Sequence, residues 1–116
     1  MATAFMLREN EDSLSVNWLE FLKCPNRDSE IKEMQRIYSE TLTVSLKARI
    51  AILNVGEIRD VVRTETEDHR NIEVLHDPIP DGDQSHSEIH NLKQNNELIA
   101  ELLLEVLPEN ENHPAR

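Results

Sequence analysis

A single cysteine, Cys24, excludes an internal disulfide and with it the stapled scaffolds of small secreted domains. It precedes Pro25 with no second cysteine nearby, which excludes CxxC redox chemistry as well. Aromatics are nearly as scarce: Phe5, Trp18, Phe21 and Tyr38 are the whole set. Any core must therefore be aliphatic, built from Leu, Ile and Val. Glycine occurs only at positions 56 and 82. That leaves no GxGxxG and no Walker loop to cradle a phosphate. No serine sits in a nucleophile elbow. No apolar run approaches the roughly 20 residues of a membrane span. The opening residues also lack the basic-then-apolar order of a secretion signal. The expected location is cytoplasmic, with no membrane partner.

Positive charge is the other shortage. Lys and Arg number 12 against 23 Asp and Glu, a formal net charge of −11. Nucleic acid as a partner is excluded, because phosphate binding needs clustered bases. Anionic membrane surfaces are excluded for the same reason. The charge is compatible with a solvated surface, a basic protein partner or a bound cation. Lys47, Arg49, Arg59, Arg63 and Arg70 put basic character mid-chain. They form no continuous patch, and ion pairs with nearby acids account for them.

What is present fits one domain in 116 residues. No internal repeat is visible. The reading is a globular domain over 1–108 and a disordered tail, ENENHPAR, over 109–116. In LSVNW, Leu14, Val16 and Trp18 alternate onto one face of a short extended piece. A short helix then ends near Cys24 and Pro25. Ile31, Met34, Ile37 and Tyr38 recur at helical spacing, capped by Asn26 or Asp28, and predict a helix over about 28–41. ARIAILNV, 48–55, reads as a strand covered on both faces, with a helix over 45–55 as its rival. Gly56 ends it. Ile58, Val61 and Val62 then predict a helix over 57–66. Residues 71–76 form a second strand, stopped by Pro78 and Pro80. A final helical region covers 86–107. Its strongest part is 97–107, with a broad apolar face that includes Leu98, Leu102, Leu103 and Val106. The fold class is α/β or α+β, with two or three short strands packed by amphipathic helices. A parallel pair over 48–76 would need a right-handed crossover.

One stretch concentrates chemistry. HDPIPDGDQSHSEIH, residues 76–90, holds His76, His86, His90, Asp77, Asp81, Asp83 and Glu88. As an EF-hand loop it places Asp77 first, Gly82 sixth and Glu88 twelfth. It fails at position three, where Ile79 has no side-chain oxygen. On a helix, His86 and His90 at i and i+4 share a face that can chelate zinc. Glu88 would then point about 160–200° away from them, so neither zincin order is satisfied. His86-Ser87-Glu88 matches the HxE half of a deaminase motif, but the PCxxC half is missing. As plain structure, Asp81-Gly82 is a turn with Gly82 at positive φ, and Ser85 to Glu88 is a capping box opening the last helix.

Two function classes follow. The first is a small accessory protein that binds another protein, or itself, through its acidic surface and the apolar C-terminal helix. Leu98, Leu102, Leu103 and Val106 would be its contact residues, and it would not be an enzyme. The second is a small hydrolase-type enzyme or ligand binder that uses His76, Asp77, His86 and His90 for acid–base work. In that reading His76, His86 and His90 are the candidate metal ligands. No organic cofactor is expected, and a divalent metal is the alternative.

Overall fold

The computed structural model describes residues 5–7, 11–41, 44, 48–93 and 96–116. Strands β1 (Leu14–Asn17), β3 (Glu73–His76) and β4 (His86–His90) form a three-stranded antiparallel sheet with β4 in the middle. Strands β2 (Arg49–Ala51) and β5 (Asn112–Pro114) form a separate antiparallel pair. Helices α1 (Arg27–Thr41), α2 (Val55–Glu65) and α3 (Asn96–Glu105) complete the fold, which is α+β. The expected parallel crossover does not form, because β2 and β3 belong to different sheets.

Capping residues set the helix boundaries. Asn26 Oδ1 accepts from the amide of Ser29 at 2.9 Å, so Asn26 rather than Asp28 starts α1. Asn54 Oδ1 accepts from the Glu57 amide at 3.0 Å and starts α2. That cap explains why β2 ends at Ala51 and not at Val55. Gly56 therefore lies inside the first turn of α2. A Cβ there would stand 3.2 Å from the capping oxygen of Asn54, so glycine leaves the cap room. The rival helix over 45–55 is replaced by β2 where the chain is described; residues 45–47, Lys47 among them, lie outside the described set.

Residues 86–90 form a strand, not the first turns of the last helix. The alternation is clear in burial: Ser85, Ser87 and Ile89 are 0–4% exposed. His86, Glu88 and His90 take the opposite face. The Ser85–Glu88 capping box therefore does not form. Asp83 turns the chain instead, accepting from the amide of Ser85 at 2.9 Å and from its hydroxyl at 2.6 Å. The positive φ of this hairpin belongs to Asp81 (59°), not to Gly82. Asp tolerates the left-handed region better than most residues.

The larger core joins α2, α3 and the sheet through Ile58, Val62, Ile72, Ile89, Ile99 and Leu103. A smaller one joins α1 to the β2–β5 pair through Met34, Ile37, Ile50 and Ala115. Ala115 corrects the reading of 109–116 as a disordered tail. It is 5% exposed, and its amide donates to the Ala48 carbonyl at 3.0 Å. The Ile52 amide donates to the Glu111 carbonyl at 2.9 Å. The physical reason is that β2 would otherwise be an unpaired edge. Among the described residues no helix is long and apolar enough to cross a membrane.

Candidate functional site

The outward face of the three-stranded sheet carries a close group of titratable side chains, Asp77, His86 and Glu88. Asp77 continues beyond β3, and its amide donates to the His86 carbonyl at 2.8 Å. This extends the β3–β4 ladder and puts Asp77 beside His86. Glu88 lies two residues further along β4, on the same face as His86. Across β1, Ser15 stands opposite Glu88.

His86 Nδ1 bonds the Asp77 backbone carbonyl at 2.8 Å. Its Nε2 stands 3.5 Å from Glu88 Oε1. The Glu88 carboxylate also accepts from the Ser13 hydroxyl at 3.0 Å and the Ser15 hydroxyl at 3.1 Å. His86 and Glu88 are only 20% and 19% exposed, whereas Asp77 is 70% exposed. One potential ligand atom from each of Asp77, His86 and Glu88 can be chosen so that all lie within 4.8 Å of one another. Among the described residues this is the group fit to hold a metal.

The three clustered histidines do not converge. His76 is paired across the ladder with buried Ser87, on the face away from His86. Its Nε2 donates to the Gln84 carbonyl at 2.7 Å, and its ring stacks on Phe21 at 3.5 Å. His90 shares the face of His86 but sits four residues along an extended strand, roughly 13 Å away at about 3.3 Å per residue. A helix would have brought them within chelating reach; a strand separates them. Glu88 is the member sequence reasoning missed. As a helical residue it pointed away from His86. The sequence did carry a signal in the HxE spacing, which at period two puts both side chains on one face.

A partly buried polar network beside this face holds the hairpin to α1. Asn17 Nδ2 donates to the Asp83 carboxylate and, at 3.0 Å, to Ser85 Oγ. The Tyr38 hydroxyl donates to Asn17 Oδ1 at 2.6 Å. Burial, with the Asp83 charge adding to it, pushes the Tyr38 hydroxyl up to about 12. Every polar atom here has a structural partner, so the network's work is positioning.

The proposed contact residues of the C-terminal helix are placed differently from expectation. Leu103 is fully buried and Leu102 is 6% exposed. Val106 packs against the larger core. Only Leu98, 41% exposed, faces outward. The apolar stripe is broad because α3 buries deeply in its own chain. The outward face of α3 is acidic, with Glu97, Glu101 and Glu105 exposed beside Leu98. Among the described residues no ion pair engages these three. By contrast, Arg63 pairs with Asp60 at 2.7 Å and Arg70 with Asp68 at 2.8 Å, as nearby acids predicted. Arg49 instead bonds Asn112.

Comparison with known proteins gives no matching family, no matching curated protein and no matching solved structure.

Proposed function

We propose that this chain is a small acidic protein-interaction module that docks a basic segment of another protein on the outward face of α3. The observation that carries this is the row Glu97, Glu101, Glu105, spaced four residues apart on the exposed side of one helix. Like charges at i and i+4 destabilise a helix by about 0.2–0.5 kcal/mol per pair. Glu105 sits at the negative end of the helix dipole, where a carboxylate is disfavoured. No basic residue occupies the last turn to offset it. A surface that costs the free protein stability is well suited to a partner that supplies the missing charge. Leu98 adds an exposed apolar contact beside Glu97, at the N-terminal end of this face. Self-association through this face is disfavoured, because it would set two acidic rows against each other.

The test is a titration of the full chain with a ten-residue lysine peptide, followed by amide NMR shifts. The expected shifts centre on 97–105, fade with added salt and vanish when Glu97, Glu101 and Glu105 are all Gln. Shifts spread evenly over the acidic surface, or unchanged in the triple variant, would refute the reading.

A further inference from the structure

The geometry points to a site for one divalent cation of the zinc class, held by Asp77, His86 and Glu88 on the outward face of the three-stranded sheet. A backbone carbonyl can only accept a hydrogen bond. The 2.8 Å contact from the Asp77 carbonyl therefore puts a proton on His86 Nδ1. In the neutral ring this leaves Nε2 as a bare lone pair. That lone pair stands 3.5 Å from a Glu88 carboxylate oxygen, so two acceptors face each other. The gap is too long for a charge-assisted hydrogen bond, which closes to about 2.7–2.9 Å. It matches the edge of a metal polyhedron: donors bound at about 2.0–2.1 Å to a tetrahedral ion stand roughly 3.3–3.4 Å apart.

The surroundings are those of ligands held in place. Metal-binding imidazoles usually donate their second ring N–H to a carbonyl or carboxylate, and ligating carboxylates are themselves hydrogen-bonded. Here the Asp77 carbonyl fixes the His86 ring, and the Ser13 and Ser15 hydroxyls fix the Glu88 carboxylate. The third donor, the Asp77 side chain, is the exposed one. Its carboxylate stands 3.9 Å from His86 Nδ1, so this exposed side chain has to swing toward Nε2 to complete the site. One imidazole nitrogen and two carboxylates suit Zn²⁺ first and Mn²⁺ second. Three protein ligands leave a fourth position facing solvent, open to water or an oxygen donor.

The experiment titrates the untagged, chelator-treated full chain with ZnCl₂ and then MnCl₂ by calorimetry. CoCl₂ serves as a visible-absorption probe of coordination. One ion per chain is expected, with Co²⁺ giving the intense bands of a four-coordinate site. Glu88→Gln keeps the shape of the side chain and should weaken Zn²⁺ binding at least tenfold. His86→Ala should abolish it. The Ser13→Ala, Ser15→Ala double variant should weaken it by about tenfold, with both ligands intact. His76→Ala and His90→Ala should leave it unchanged. Circular dichroism of each variant separates lost binding from lost folding. The proposal fails if the folded chain binds no zinc. It also fails if Glu88→Gln binds as the parent does, or if His76→Ala or His90→Ala weakens binding as much as Glu88→Gln.

Discussion

Helices α1 and α3 are both acidic, yet they handle their charge in opposite ways. In α1, Arg36 sits between Glu33 and Glu40 and pairs with both. Arg27 pairs with Glu30 at 2.8 Å and with Glu111 at 3.1 Å. In α3, Glu97, Glu101 and Glu105 have no such answer among the described residues. Burial runs the other way. Only Met34 and Ile37 of α1 are buried, against Ile99, Ala100, Leu102 and Leu103 of α3. The helix with little core contact neutralises its surface, and the helix with much core contact leaves its surface charged. A net charge of −11 is therefore not an even coat. Some of the 23 acidic side chains are answered locally by arginine, as on α1, and others, among the described residues, stand as an unanswered row on α3.

The largest expected effect breaks the burial side of this contrast. Leu103 is fully buried in the larger core, and Leu103→Ala should cost about 3 kcal/mol through lost contacts and a cavity. Met34→Ala, in the smaller core around α1, should cost about 2 kcal/mol. Urea unfolding midpoints measure both. Equal losses would mean that the two helices are anchored equally well and that the contrast is one of charge alone.

Removal of residues 109–116 comes next. It deletes β5, the buried Ala115 and the Arg27–Glu111 pair. The β2–β5 ladder and the flanking backbone bonds Ile52–Glu111 and Ala115–Ala48 disappear with it. A loss of about 2 kcal/mol is expected, together with faster amide exchange at Ile50 and in α1. Exchange in α3 should change least, because it belongs to the other core. Uniform acceleration across both helices would show that the two cores unfold as one unit.

This terminal segment shows where sequence reasoning reached its limit. Helices with a full apolar period and a cap were legible: the 28–41 and 57–66 readings fall within two residues of α1 and α2 at each end. The strand β4 was not. The inward positions of β4 and the residue entering it are Ser85, Ser87 and Ile89, so two of these three buried residues are polar and the period-two signal was disguised. The strand β5 reads Asn-His-Pro and carries no apolar signal at all. Its pairing is dictated by the free edge of β2, which only three dimensions reveal. The candidate site failed for the same reason. Asp77 and His86 were visible as chemistry, but Glu88 joined them only once the stretch was extended rather than helical.

The attachment of α1 can also be tested through its hydroxyl. Tyr38 is the chain's single tyrosine, so its ionisation can be followed by ultraviolet absorbance without overlap. Burial first, and the Asp83 charge second, push it up to about 12 from the ordinary 10.0. The folded state thus holds this proton where the unfolded state has lost it. The Tyr38 contribution to stability is intact below pH 10 and is lost as pH rises from there to about 12. Tyr38→Phe should remove that part of the alkaline decline. An unchanged decline in the variant would place its origin elsewhere.

The smallest effect is the most pointed, because its sign is unusual. Replacing Glu97, Glu101 and Glu105 by Gln removes two like-charge i,i+4 contacts; the gain from taking Glu105 off the wrong end of the dipole is offset by losing Glu97 from the first turn, where the dipole favours it. The free protein should become more stable by about 0.5–1 kcal/mol. Most surface substitutions leave stability within about 0.5 kcal/mol, and a gain from removing charge is the exception. Salt should reproduce part of it. Screening at 1 M acts over about 3 Å, so it eases the repulsion along α3. The same salt weakens the exposed pairs of Arg36 with Glu33 and Glu40. Site-resolved exchange at low and high salt should therefore slow in α3 and quicken in α1, and the triple variant should lose only the α3 response. If Gln at these positions destabilises the protein instead, the row is structural, and the case for a basic partner loses its physical basis.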